Sequence, residues 1–176
     1  MKKIALLIAL FAGIGLAQAD VGLIGTMDGG YANTKAPGAT VGTSSYQSGG
    51  MTTSYFGIKG SEDLGNGSKA VLELSSFLDD SNGSTKGGTT VNTFARSSFV
   101  GLTNKDLGGI TMGRQPNPSF LPTILFNAYG DSGAYSPLWH ATYFGNTGNP
   151  MTQLYNDTAW DSSVAYSTPK IGRAHV

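Results

Sequence analysis

The chain has no cysteine, which removes disulfide frameworks and thiolate metal sites together. Charge is scarce too: Asp, Glu, Lys and Arg make up 12% of the 176 residues, with Lys+Arg and Asp+Glu equal at 11 each. A nucleic-acid binder needs a basic excess to neutralise phosphates, and none is present. A disordered solvating chain pairs high net charge with few aromatics, whereas this one has no net charge and 10% aromatics. Long apolar runs are almost missing. The only one, Ile4 to Leu16, is shorter than the roughly 18–20 residues a spanning helix requires. His140 and His175 are the only histidines, and without an HExxH spacing they make no metal site. No G-x-S-x-G elbow follows a strand. Neither an enzyme, a metal nor a cofactor is expected.

What is there begins with an export pattern. Met1-Lys2-Lys3 supplies a positive start, Ile4 to Leu16 an apolar or small stretch, and Ala17-Gln18-Ala19 a small-x-small cleavage site. Residues 1–19 therefore read as a secretory signal peptide. Its removal takes away Lys2 and Lys3 and leaves the mature chain slightly acidic. With no later segment long enough for a spanning helix, membrane entry after export would have to use strands.

Several segments alternate at period two. Val21 and Leu23 share a face, with Gly25 and Met27 in phase. Ser54, Phe56 and Ile58 oppose Tyr55, Gly57 and Lys59; Ala70, Leu72 and Leu74 oppose Val71, Glu73 and Ser75. Ala95, Ser97 and Phe99 alternate with Arg96, Ser98 and Val100. Ile110 and Met112 flank Thr111, and Ser162, Val164 and Tyr166 close the series. Such alternation marks strands with one apolar face. The connections are sorted by length. Ser61 to Gly67 and Asn104 to Gly108 are compact Gly/Asn/Asp turns, while polar stretches at about 33–50, 79–92 and 115–157 are long. A meander crossing a bilayer has that asymmetry, with short turns on one side and long loops on the other. Asp79-Asp80-Ser81-Asn82-Gly83 lacks the terminal Glu and remaining ligands of a calcium loop and reads as a polar outer loop.

Five segments in order resemble the general, trimeric porins of Gram-negative outer membranes, in particular the betaproteobacterial type. Ser54-Tyr55-Phe56-Gly57-Ile58-Lys59-Gly60-Ser61-Glu62-Asp63-Leu64-Gly65-Asn66-Gly67 resembles their second strand and first turn. Lys69 to Leu74 is similar to the third strand, and Phe94-Ala95-Arg96-Ser97-Ser98-Phe99-Val100-Gly101-Leu102 to the fourth. Gly108 to Gln115 is similar to the fifth strand and the entry to the pore-constricting loop, and Asp161 to Pro169 to the sixth. The likeness covers most of 20–170.

The resemblance implies an all-β fold, a transmembrane antiparallel β-barrel of sixteen strands in the complete protein. Here it would be represented by about six strands and an inward-folding third loop at about 115–160. It implies a homotrimer among outer-membrane lipid and lipopolysaccharide, passing small hydrophilic solutes and ions by passive diffusion, with no nucleic-acid partner. Selectivity would then follow from pore width and lining charges. By the resemblance, Arg96 occupies a basic wall position and Asp131 supplies the loop's negative group, with Asp157 and Asp161 as weaker candidates. Alternation opposite Phe99 also puts Arg96 on the lumen side. Lys59 points inward near the turn, below the constriction. Tyr55 stands where the family often has Arg, which predicts weak selectivity. Solvation alone is the competing explanation for Asp131, and a wall charge without functional weight for Lys59.

The last six residues, Ile171 to Val176, fit neither the alternation nor the family's continuation. They resemble a translated adapter frame and are read as a non-native tail, with 20–170 as the amino-terminal part of a longer barrel. A small closed outer-membrane barrel serving as anchor or adhesin is the alternative, since eight strands can close around packed side chains. A secreted soluble β enzyme or lectin is the third reading.

Overall fold

The computed structural model describes residues 19–35, 40–86, 93–132, 134–136 and 158–169. The signal segment 1–18 and the tail 171–176 lie outside the described residues, as do Asp157 and both histidines. Nine strands are described: β1 (Asp20–Thr26), β2 (Gly29–Thr34), β3 (Thr43–Ser48), β4 (Tyr55–Gly65), β5 (Ser68–Asp79), β6 (Ser84–Lys86), β7 (Ser97–Asn104), β8 (Gly108–Pro116) and β9 (Ala159–Ser167). One short helix, α1 (Phe120–Leu125), follows β8.

The main sheet runs β1-β4-β5-β7-β8-β9, every neighbour antiparallel, with β6 clipped to the far end of β5. Each of the six alternating sequence segments places residues on one strand of this path, with Met27, Ser54, Ala95 and Arg96 outside the strand ends. β2 and β3 form a separate two-stranded ribbon, which leaves the sheet at the Thr26/Tyr55 end of the β1/β4 pair. Among the described residues the sheet is open, with β1 and β9 at its edges.

The connections are sorted as the lengths imply. β4 and β5 are joined by Asn66-Gly67, with φ of 53° and 74°, the two left-handed residues that a tight hairpin turn demands and that Asn-Gly supplies best. β7 and β8 are joined by Lys105 to Leu107, where the Asn104 side-chain oxygen accepts from the amides of Asp106 and Leu107 at 2.9 and 3.1 Å. The two short turns touch, the Lys105 amide donating to the Gly67 carbonyl at 3.1 Å. The long connections all leave from the opposite end of the sheet.

Three boundaries differ from the sequence reading. The stretch 33–50, read as a polar connection, holds the end of β2 and all of β3. Its residues are polar on both faces, so pairing without an apolar face leaves no period to detect. Ser61 to Gly65, read as part of a turn, continues β4, with Glu62 and Asp63 laddered to Ala70 and Lys69. The long loop after β8 includes α1, a single turn and a half begun where the Asn117 side chain accepts from the Phe120 amide at 2.8 Å.

Cross-strand register sorts the side chains into two faces. Val21, Gly60, Leu72, Val100, Met112 and Val164 form one continuous row across the sheet. Ala70, Leu102, Ile110 and Tyr166 form the next. Gly22, Lys59, Glu73, Phe99, Gly113 and Ser163 form a row on the opposite face. The first face is apolar and bare: Leu23 is 90% exposed, and Val100, Leu102, Met112, Val164 and Tyr166 are all exposed. Among the described residues the fully buried side chains are serines (Ser54, Ser75, Ser76, Ser97, Ser132, Ser136), and the buried apolar residues are Ala95 and Ala159. A soluble domain has the reverse arrangement. Burying apolar area is worth about 25 cal/mol per Å², so an exposed sheet face of this kind needs a non-aqueous solvent or a partner.

Candidate functional site

The polar face carries a cleft of about 390 Å³ lined by Ile24, Tyr55, Lys59, Glu73, Arg96, Ser97, Phe99 and Pro116. Four sheet strands contribute side chains from the same face, and β8 adds Pro116 at its end. The period-two geometry of β4, β5 and β7 brings Tyr55, Lys59, Glu73 and Phe99 together, because residues opposite each other in a ladder share a face. Lys59 is opposite Glu73, and Glu73 is opposite Phe99.

Arg96 organises this cleft. It sits just before β7, its amide donating to the Ser75 carbonyl at 3.1 Å. Its guanidinium donates to Glu73 Oε1 at 3.1 Å and to Ser75 Oγ at 3.2 Å. Ser75 Oγ in turn donates to Glu73 Oε1 at 3.0 Å. The guanidinium carbon lies 3.8 Å from the centre of the Tyr55 ring, a cation–π contact worth about 0.5–1 kcal/mol at a partly exposed site. The Arg96 side chain is 31% exposed and that of Glu73 14%. An ion pair this open to solvent adds about 1 kcal/mol or less to stability. Its main effect is on the local field. Lys59 is exposed and makes no ion pair among the described residues.

Arg96 departs from the phase that the alternation implies. Phe99 does not lie opposite the Arg96 side chain; both line the cleft. Residues 93–96 form a turn and bend rather than strand, so strict alternation begins only at Ser97. Lys59 is not set apart toward the turn either, since it shares the cleft with Tyr55 and Arg96.

Asp131 lies elsewhere. Its carboxylate accepts from the Thr52 hydroxyl at 2.8 and 2.9 Å and from the Thr53 amide at 3.2 Å. The neighbouring Ser132 hydroxyl and Ala134 amide both donate to the Gly50 carbonyl, at 2.8 and 3.1 Å. The loop after α1 is thus fastened to the segment between β3 and β4. Asp28 holds that segment from the other side, accepting from the Thr52 amide at 2.8 Å, while Ser54 Oγ accepts from the Asp28 amide at 2.9 Å. Asp161, the second weaker loop candidate, pairs with Arg114 at 2.8 Å. Sequence reasoning overlooked Glu73 and Arg114 as charged partners. Among the described residues no group of acidic or histidine side chains is arranged to hold a metal ion.

An antiparallel meander with one bare apolar face, one polar face bearing charges, and loops sorted by length is the structural class of the transmembrane β-barrel. No helix among the described residues is long and apolar enough to cross a membrane. The chain belongs to the Gram-negative porin family, whose model matches residues 5–176. It is 31% identical to an outer membrane porin protein of Bordetella pertussis, over 96% of this chain and 45% of that protein. It is 34% identical to outer membrane porin protein 32 of Delftia acidovorans, over 76% of this chain and 37% of that one. The fold is similar to that of the anion-selective porin from Comamonas acidovorans, with a TM-score of 0.68 at 23% identity, covering 88% of this chain and 44% of that structure. The chain therefore spans less than half the length of the curated relatives it matches. Its localisation is the outer membrane.

Proposed function

We propose that the complete protein is a passive diffusion porin in which the polar face of this sheet lines a water-filled lumen. The observation that carries the reading is the division of one sheet into a bare apolar face and a face bearing Lys59, Glu73 and Arg96. Lipid covers the first, and hydrated solutes pass along the second. The open edges at β1 and β9 would meet partner strands, because lipid tolerates no unpaired backbone. With sixteen strands the lumen is wide enough for small hydrophilic solutes and ions. A homotrimer set among outer-membrane lipid and lipopolysaccharide is the assembly this reading requires.

Arg96, Lys59 and Tyr55 serve in this account as lumen wall. Asp131 serves as an anchor of the constricting loop, and Asp157 as an acid near the loop's return. The Comamonas relative is named for anion selectivity. Here the neutral Tyr55 and the Glu73 carboxylate beside Arg96 argue for a weak preference. The relatives are named porins, which favours diffusion over an anchor or adhesin role. Liposome swelling tests the reading: the complete protein reconstituted in vesicles should admit small sugars at rates falling with solute size. Vesicles that stay osmotically tight to all of them, with trimers present, would overturn it.

A further inference from the structure

We propose that Glu73, a wall residue, is the acid that sets ion selectivity at this site by neutralising Arg96. The proposal rests on the porin reading above. Three observations carry it. The Glu73 carboxylate is 3.1 Å from the Arg96 guanidinium, well inside the screening length of about 8–10 Å at physiological salt. A passing ion therefore meets the pair as a nearly neutral dipole. The second observation is geometric. Ser75 bridges the two, donating to Glu73 Oε1 at 3.0 Å and accepting from Arg96 at 3.2 Å, and Tyr55 backs the guanidinium at 3.8 Å. Both partners are thus held in place on the wall. The third is where the loop acid goes. The Asp131 carboxylate is taken up by Thr52 and Thr53 and forms no ion pair with Arg96 or Lys59 among the described residues. Arg96 is countered from the neighbouring strand. Lys59, across the ladder from Glu73, is left as the cation without an ion-pair partner in the cleft.

A charge-removal cycle in the complete protein tests this, read as reversal potentials under a salt gradient across a planar bilayer. Glu73→Gln should raise the anion-to-cation permeability ratio at least about two-fold, because the Arg96 charge is uncovered. Arg96→Gln alone should lower it by a similar factor. The double variant, which removes a near-neutral pair and leaves no lone charge behind, should return close to the starting ratio. Should Glu73→Gln fail to assemble, the comparison of the double variant with Arg96→Gln decides alone. A double variant matching Arg96→Gln, or a Glu73→Gln ratio equal to that of the starting protein, would overturn the assignment to Glu73. Absence of conductance from the unsubstituted protein would instead overturn the porin reading itself.

Discussion

At the scale of the residue, the cleft is a small set of charges whose effect depends on who faces whom. Lys59 is exposed and without an ion pair among the described residues, so its removal takes a full positive charge from the polar face. Lys59→Ala should shift permeability toward cations, and an unchanged reversal potential would place its side chain outside the pathway. Tyr55→Arg adds a cation beside Arg96 and should shift permeability toward anions in the same assay. Which side chains line the cleft was partly legible. Tyr55 and Lys59 share a phase, and Val71, Glu73 and Ser75 share another, but the meeting of Lys59 with Glu73 depends on register. Counting back from the Asn66-Gly67 turn, where Gly65 pairs with Ser68, sets Lys59 against Leu74. The structure sets it against Glu73, because the ladder shifts by one residue between Asp63 and Gly65. A one-residue slip exchanges faces. The requirement that polar meet polar was the available signal for that bulge. For Arg96 the opposite happened: its placement depends on a bend before β7, where period-two counting does not apply.

At the scale of the element, turns and fastenings decide what can be altered. Gly67 adopts φ of 74°, and a Cβ there would meet the Lys105 side chain at 2.8 Å. Gly67→Ala should cost about 1–2 kcal/mol through the left-handed backbone, seen as a lower urea midpoint of the folded barrel. The β2–β3 ribbon, beyond the end of the sheet, is tied to the turn after β5 by the Tyr46 hydroxyl, which donates to Asp80 at 2.8 Å. Hydrogen bonds from Ser48 and Tyr46 hold the Asp80 carboxyl below its ordinary value, and the bond to Asp80 raises that of Tyr46. A depressed carboxyl contributes stability above its unfolded value and loses it as pH falls through the folded one. The ribbon should therefore become more open to pepsin below the ordinary aspartate value of 3.8, and Tyr46→Phe should abolish its share of that dependence. A cleavage rate indifferent to pH would contradict the tie. The ribbon escaped sequence reasoning because it is polar on both sides, whereas the six sheet strands announced themselves through one apolar face each.

At the scale of the whole molecule, the architecture follows from a single inversion: apolar side chains outside, serines and charges inside. Among the described residues the buried apolar side chains are only Ala95 and Ala159, so in a closed barrel the stability of this sheet would come from pairing of its open edges and from the bilayer rather than from packed hydrocarbon. That much was readable, because loop sorting and alternation are properties of the entire chain and survive errors of one residue in any strand. Where the loop after α1 fastens was not readable, since the contact of Asp131 with Thr52 joins residues 79 apart in sequence without any periodic signal. Extraction should reflect the inversion: the complete protein should leave the outer membrane in detergent and remain with the pellet in high salt or at alkaline pH. Whether this sheet lines an aqueous pore is decided by planar-bilayer recording of the complete, purified protein. A lumen lined by this polar face should give stepwise ohmic conductance with a weak ion preference that moves when Arg96 or Glu73 is neutralised. Folded protein that inserts and leaves the bilayer electrically silent would contradict the pore reading.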